Sequence, residues 1–123
     1  MKTALIIEDN SDNMVLITRL LEKAGYKTIR AWTGLEGVDM AVHDSPDFII
    51  LDIQLPDIDG REVLRRIRGF EAAASIPVIA MTSYAMSGDR EKLLAAGCDG
   101  YIEKPIDPLR VVAQIQQVTE EVS

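Results

Sequence analysis

Cysteine and aromatic residues are scarce in this sequence of 123 residues. The single cysteine, Cys98, has no partner within the chain, so an internal disulfide is excluded. Aromatic residues make up 5% of the chain and hydrophobic residues 47%, so we expect an aliphatic core. A chain of this length buries roughly two thirds of its extended surface on folding and needs no covalent staple. We therefore expect one ordered domain, spanning residues 1–123.

Positive charge is also in deficit, because 13 lysine and arginine residues face 20 aspartate and glutamate residues, a net charge of -7. Nucleic acids and anionic membrane surfaces bind positively charged surfaces, so neither is an expected partner. The apolar segment at the start of the chain, Met1 to Glu8, is too short for a signal peptide or a membrane span. These absences predict a cytoplasmic protein.

What the sequence does contain is a regular alternation of short apolar runs and amphipathic stretches. Uninterrupted apolar runs are typical of strands covered on both faces of a parallel sheet, whereas apolar residues three or four apart predict helices. The predicted strands span residues 4–7, 26–31, 48–51, 76–81 and 100–102, and a helix follows each of them. The alternation predicts an α/β fold, a three-layer α/β/α sandwich around a five-stranded parallel sheet.

Local signals predict several details of the helices. Gly25 should end the first helix as a left-handed cap, and Leu35 should face inward from the second. The arginines of the third helix should face solvent. Ser87 should cap the fourth helix, and Asp107 should cap the fifth, with Pro108 in its first turn.

Polar residues capable of chemistry stand at the carboxyl ends of four of the predicted strands. They are Glu8 and Asp9 after the first strand, Asp52 after the third, Thr82 after the fourth and Lys104 after the fifth. These ends share one edge of a parallel sheet, the edge at which open α/β sheets bind ligands. If strands one and three are neighbours, the three carboxylates converge, and their repulsion raises their pKa values unless a cation is present.

This set of residues predicts a magnesium-dependent phosphoryl-transfer site. Mg²⁺ takes oxygen ligands and commonly joins carboxylates to a phosphoryl group, so Asp9 and Glu8 are the predicted metal holders. The ammonium group of Lys104 and the hydroxyl group of Thr82 suit the oxygens of a phosphoryl group. Asp52 is the predicted nucleophile, because a carboxylate can accept a phosphoryl group as an aspartyl phosphate.

Five motifs, taken in order, resemble the receiver domain of two-component response regulators. They are Glu8-Asp9, Leu51-Asp52-Ile-Gln-Leu-Pro-x-x-Asp-Gly60, Pro77-Val-Ile-Ala-Met-Thr82, Ala95-Ala-Gly-Cys-Asp-Gly-Tyr101 and Lys104-Pro105. The resemblance runs from about residue 3 to about residue 119, nearly the whole chain. It implies a flavodoxin-like sheet with the strand order 2-1-3-4-5, in which strands one and three are neighbours.

The resemblance implies a phosphorylation switch, not an enzyme that acts on other substrates. Asp52 would take a phosphoryl group from a phosphohistidine of a sensor histidine kinase or a histidine phosphotransfer protein. Glu8, Asp9, Asp52 and the backbone carbonyl of Gln54 would form the Mg²⁺ site. The protein would catalyse only its own phosphorylation and dephosphorylation.

The resemblance also implies how the signal leaves the domain. Thr82 and Tyr101 would be the switch pair, Lys104 would contact the phosphoryl group, and the Lys104-Pro105 peptide bond would be cis. A downstream protein would bind the face from Ser87 to Val118, or the phosphoryl group would be passed onward. The chain is similar to single-domain regulators of the cell-fate and cell-cycle type, so we expect one receiver domain and no effector domain.

A magnesium-dependent phosphatase with an aspartyl nucleophile is the main alternative. Such hydrolases usually carry a second aspartate two residues after the nucleophile as general acid, and Gln54 occupies that position. A flavodoxin would need a hydroxyl-rich phosphate loop after the first strand, where Glu8 and Asp9 would repel the phosphate. An adaptor that works without phosphorylation is disfavoured by the complete set of site residues.

Overall fold

Strands and helices alternate along the whole of the described chain. The computed structural model describes residues 1–83 and 89–122. Its elements are β1 (Thr3–Ile7), α1 (Ser11–Lys23), β2 (Lys27–Ala31), α2 (Gly34–His43), β3 (Phe48–Asp52), α3 (Gly60–Gly69), β4 (Val78–Thr82), α4 (Asp89–Ala95), β5 (Gly100–Glu103) and α5 (Val111–Val122), with a short 3₁₀ turn at Glu71–Ala73. The predicted βα alternation is confirmed.

The strands of the described residues form one parallel sheet with the order β2-β1-β3-β4-β5. Both the strand order and the parallel pairing are confirmed. β1 pairs directly with β3, Ile7 opposite Leu51, and β3 pairs with β4, Asp52 opposite Met81. The residues that end or follow β1, β3 and β4 are therefore brought to the same edge.

Side chains of each central strand alternate between two apolar clusters, one on each face of the sheet. Leu5 and Ile7 of β1 join the cluster that contains buried side chains of α2, α3 and α4. Ala4 and Ile6 join the cluster that contains buried side chains of α1 and α5. The sheet is thus covered on both faces, which confirms the three-layer sandwich and explains the uninterrupted apolar runs.

The helix α2 packs differently from the prediction. Leu35 is 49% exposed, so its predicted inward position is wrong. Gly34, Gly37, Val38 and Ala41 face inward instead. A Cβ atom on Gly37 would lie 2.5 Å from the side chain of Ile7, so the small residues form the face that approaches the sheet. A face of small residues escapes a search for apolar periodicity.

Helix ends agree with the local signals in some places and differ in others. Gly25 has φ +98°, the left-handed cap that was predicted. The final helix begins at Val111, later than predicted. Asp107 accepts a hydrogen bond from the Leu109 N–H and so caps the turn that precedes the helix. Ser87, the predicted cap of α4, lies outside the described residues.

Arg68 departs from the prediction that the arginines of α3 face solvent. Its side chain is 21% exposed, and its guanidinium group donates to the carbonyl oxygens of Gly97 at 2.8 Å and Ile76 at 2.7 Å. It also pairs with Asp99 at 2.9 Å, and Asp99 accepts from the Val78 N–H at 2.9 Å. Arg68 therefore ties α3 to the end of α4 and to the starts of β4 and β5.

Within the described part of the chain, no helix combines the length and the apolar character that a membrane-spanning helix needs.

Candidate functional site

The site lies where β1, β3, β4 and β5 end. Asp52 and Thr82 are the last residues of their strands, whereas the sequence predicted that each would directly follow its strand. Glu8 and Asp9 follow β1, and Lys104 follows β5. Glu8, Asp52 and Thr82 are 1–2% exposed, whereas Asp9 is exposed at the rim. The site is therefore a buried acidic floor with one carboxylate open to solvent.

The three carboxylates converge as the sequence predicted. Glu8, Asp9 and Asp52 each offer an oxygen atom, and these atoms all lie within 4.8 Å of one another. The Lys104 ammonium group enters from the β5 side, 3.0 Å from Asp52 Oδ1 and 3.6 Å from Glu8 Oε2. One lysine faces three carboxylates, so the cluster keeps an excess of negative charge.

Glu8 shows the consequence of this crowding. Burial, followed by the charge of Asp52, raises the pKa of Glu8 from 4.5 to about 7, against the opposing effects of Lys104 and the Asn10 N–H. Glu8 Oε1 accepts from the Asn10 N–H at 3.3 Å. Oε2 has no hydrogen-bond partner among the described residues. A buried carboxylate oxygen without a donor suits a hard cation, so the residues present fit Mg²⁺.

The raised pKa of Glu8 predicts how stability depends on pH in the absence of metal. Between pH 4.5 and about 7 the folded protein binds a proton that the unfolded chain does not, so the free energy of unfolding falls as pH rises through this window. The contribution of this group is of the order of 3 kcal/mol. Urea unfolding in EDTA at about pH 5 and about pH 8 should show a weaker pH dependence for Glu8→Gln than for the wild type. Equal pH dependence in the two proteins would contradict the prediction.

The remaining predicted site residues lie on the loop after β3 and on β5. The Gln54 N–H donates to Asp52 Oδ1 at 3.0 Å, so the loop after β3 turns back over the nucleophile position. The exposed Gln54 side chain accepts from the Ser83 hydroxyl group at 2.7 Å. Tyr101 is half-buried on β5, and the Lys104-Pro105 bond is cis, as the resemblance implied.

A pocket of about 550 Å³ opens beside the cluster. Its lining includes Asp9, Thr82 and the loop between β3 and α3, and it reaches Lys92 and Leu93 of α4. The pocket gives solvent and ligands access to the carboxylate edge from the side of α4.

Asp57 is a residue of this loop that stands at an unassigned position of the motif around Asp52. Its carboxylate accepts hydrogen bonds from the Gly34 N–H at 2.8 Å and from the Leu35 N–H at 2.9 Å, and both amides belong to the first turn of α2. Desolvation raises the pKa of Asp57, but hydrogen bonds from backbone amides, those of Leu35 and Gly34 foremost, together lower the pKa below its usual value of 3.8. The partners lie 23 and 22 positions away in sequence, so no local signal could have revealed the contact.

The family of the chain follows from a comparison of its sequence with known families. Residues 4–116 match the family described as "Response regulator receiver domain", a match that covers the site and the five strands except for Thr3. The chain belongs to this family. A receiver domain is a phosphoacceptor in two-component signalling and interacts with histidine kinases or phosphotransfer proteins. The phosphatase alternative is not favoured.

Individual relatives agree with this assignment. The receiver domain is 45% identical over 115 residues to a protein of Brucella ovis named polar-differentiation response regulator DivK, and the match covers 94% of each chain. The predicted similarity to single-domain regulators is thus confirmed.

Solved structures confirm the fold. A CheY-like receiver domain protein from Methanospirillum hungatei has a TM-score of 0.90 at 29% identity, covering 99% of this chain and 96% of its own. The receiver domain of the sensor histidine kinase PA1611 from Pseudomonas aeruginosa has a TM-score of 0.88 at 33% identity, covering 97% of this chain and 98% of its own. The PA1611 structure has a magnesium ion coordinated in the active site cleft.

Proposed function

We propose that this receiver domain accepts a phosphoryl group on Asp52 from a phosphohistidine of a sensor histidine kinase or a histidine phosphotransfer protein. The observation that carries the proposal is the buried Asp52 carboxylate, which has Lys104 at 3.0 Å and two further carboxylates beside it. In the transfer an Asp52 oxygen bonds to phosphorus while the bond from phosphorus to the histidine nitrogen breaks. The leaving imidazole keeps the electron pair of that bond and takes a proton.

The domain binds Mg²⁺ in this proposal. Glu8, Asp9, Asp52 and the backbone carbonyl of Gln54 would hold the ion, with Glu8 acting through water. Glu8 Oε2, which accepts no hydrogen bond among the described residues, and the excess of negative charge support this ligand set. The bound ion supplies positive charge that offsets the repulsion between the cluster and an incoming phosphoryl group.

Other residues of the site serve the phosphorylated state. Lys104, which already contacts the cluster, pairs with a phosphoryl oxygen, and the Thr82 hydroxyl group donates to another. Movement of the Thr82 hydroxyl group toward the phosphoryl group leaves room for the half-buried Tyr101 ring to turn inward. Because each hydrogen bond to a charged group contributes only about 1.5 to 3 kcal/mol, the change is a shift between two populated states.

The signal leaves through the face formed by α4, β5 and α5, residues Ser87 to Val118, of which residues 87 and 88 lie outside the described part of the chain. A pocket of about 350 Å³ on this face, lined by Tyr101, Arg110 and Gln114 among others, supports a protein partner there. Onward transfer of the phosphoryl group is the other route. Neither nucleic acid nor a membrane is proposed as a partner, given the net charge of -7. The cytoplasmic location and the lack of an effector domain stay predictions.

The domain catalyses only its own phosphorylation and dephosphorylation. A phosphatase would need a group at position 54 that donates and accepts a proton, and the Gln54 amide cannot do so. The Gln54 side chain accepts instead from Ser83.

The proposal can be tested with the wild-type protein and a small phosphoryl donor such as acetyl phosphate. In the presence of Mg²⁺, intact-mass spectrometry should show accumulation of one added phosphoryl group, because the acyl phosphate is formed faster than it is hydrolysed. With EDTA the mass should stay unchanged, because the acidic cluster then repels the donor. Continuous release of inorganic phosphate without accumulation of a modified protein would favour the phosphatase, and modification that is equal in EDTA would contradict the Mg²⁺ site.

A further inference from the structure

The loop between β3 and α3, residues 53–59, closes at its two ends and is tied in its middle to another helix. At its ends the Gly60 N–H donates to the Ile53 carbonyl at 3.0 Å, and a Cβ atom on Gly60 would lie 2.5 Å from Ile53 Cα. In its middle Asp57 accepts hydrogen bonds from the first two amides of α2. The loop therefore takes part of its shape from α2, an element outside β3 and α3.

The start of α2 is complementary to the loop in shape as well as in hydrogen bonding. A Cβ atom on Gly34 would lie 2.7 Å from the side chain of Ile58 and 2.7 Å from that of Val63, so the helix end and the loop are in close contact. Thr33 caps the Glu36 N–H at 3.2 Å. The first turn of a helix leaves its amide N–H groups without partners in the helix. Two of these groups in α2, those of Gly34 and Leu35, donate hydrogen bonds to Asp57.

The same loop carries the backbone of Gln54 to the site. The Gln54 N–H donates to Asp52 Oδ1, so small changes in the loop move a group that touches the nucleophile position directly. Asp57 lies three residues further along, lines the pocket beside the cluster, and fixes this segment from the side of α2. When a hydrogen bond that orients a metal ligand is removed, the affinity for the metal typically falls.

We propose that Asp57 is a positioning residue for the metal site: by binding the first turn of α2, it holds the loop so that the Gln54 backbone is placed for both Asp52 and the ion. The inference rests on the proposed function, which makes the Gln54 carbonyl a ligand of Mg²⁺. Asp57 acts through Gln54 and does not contact the ion.

The neighbouring Asp59 provides a matched control. It belongs to the same loop, lines the same pocket and carries the same charge, but its carboxylate accepts from the Arg61 N–H at 2.7 Å and caps α3 locally. Each substitution removes one negative charge from the lining of the pocket, and the charge of Asp59 is in addition partly offset by the Arg61 guanidinium group, whose Nε lies 3.4 Å from Asp59 Oδ1. An effect of Asp57→Ala beyond that of Asp59→Ala, together with a smaller effect of Asp57→Asn, which removes the same charge but keeps an acceptor oxygen, therefore measures positioning and not charge.

The experiment measures Mg²⁺ affinity by calorimetric titration and the Gln54 amide by nitrogen–proton correlation spectra of the metal-free protein. Asp57→Ala should weaken Mg²⁺ binding about tenfold more than Asp59→Ala does, and it should move the Gln54 amide signal further. Asp57→Asn, which keeps one acceptor oxygen and the same size, should fall between wild type and Asp57→Ala. It also serves as the test if Asp57→Ala does not fold.

The outcomes separate this inference from the function on which it rests. If Asp57→Ala and Asp59→Ala weaken Mg²⁺ binding equally and leave the Gln54 amide signal in place, the positioning role is overturned while the metal site stands. If the wild type itself binds no Mg²⁺, the proposed metal site fails. In that case the Gln54 amide signal of the metal-free variants still decides whether Asp57 holds the loop.

Discussion

Replacing Asp52 with asparagine should abolish phosphoryl incorporation and, in the same variant, raise the free energy of unfolding of the metal-free protein. An amide oxygen is too weak a nucleophile to take the phosphoryl group, so intact-mass spectrometry with acetyl phosphate and Mg²⁺ should show no modification. This is the largest effect that we expect from any single substitution at the site.

The gain in stability follows from the geometry of the buried cluster. Asp52 is 2% exposed, and its charge is one of the causes that raise the pKa of Glu8. In Asp52→Asn the Glu8 carboxylate keeps Lys104, whose ammonium nitrogen lies 3.6 Å from Oε2, and loses its buried like-charged neighbour. Relief of this repulsion should stabilise the metal-free protein by about 1 to 2 kcal/mol.

The charge-matched control is Asp39→Asn. Asp39 lies on α2 with its side chain 73% exposed and pairs with His43, so its replacement should leave both phosphorylation and stability nearly unchanged. Urea unfolding in EDTA at about pH 8, where Glu8 is mostly charged because its pKa is about 7, measures the stability of all three proteins. A lowered stability of Asp52→Asn would contradict dominant repulsion in the cluster, and a phosphorylated Asp52→Asn protein would show that the acceptor lies elsewhere.

The sequence predicted where the acidic residues meet because that information is local to each strand. An uninterrupted apolar run marks a strand covered on both faces, and the polar residue at which the run stops must then lie at the carboxyl edge. Asp52 after Leu51 and Glu8 after Ile7 are two such cases, and β1 and β3 are neighbours in the sheet. The adjacency itself came from the resemblance and not from the apolar pattern.

Contacts between distant segments could not be predicted in this way. Asp57 reaches α2 across 22 and 23 positions, and Arg68 reaches Asp99 across 31. In the sequence Asp57 is indistinguishable from any turn aspartate, and Arg68 from the exposed arginines around it. Leu35 was misplaced for a related reason, because the inward face of α2 is set by small residues such as Gly37 that fit against β1. Apolar periodicity in a sequence detects large apolar side chains, but it does not detect small residues that let a helix approach the sheet closely.

Replacing Arg68 with alanine should strongly destabilise the protein, although Arg68 is not part of the acidic site. The guanidinium group donates to the carbonyl oxygens of Gly97 and Ile76 and pairs with Asp99. The substitution leaves the partly buried carbonyl oxygens of Gly97 and Ile76 without this donor. A Cβ atom on Gly97 would lie 3.1 Å from the Arg68 stem, so packing is lost as well. We expect the free energy of unfolding to fall by about 2 to 4 kcal/mol.

The matched control is Arg66→Ala on the same helix. Arg66 is 43% exposed and pairs only with the neighbouring Glu62, at 2.8 Å, among the contacts described for it. Exposed pairs of this kind contribute about 0.5 kcal/mol or less, so the control should unfold almost as the wild type does. Arg68→Lys keeps the charge but not the planar group that reaches several acceptors, and it should therefore recover only a small part of the loss. Urea unfolding at neutral pH measures all four proteins. If Arg68→Ala were no less stable than Arg66→Ala, or if lysine restored full stability, the network around Arg68 would not be what joins α3 to α4, β4 and β5.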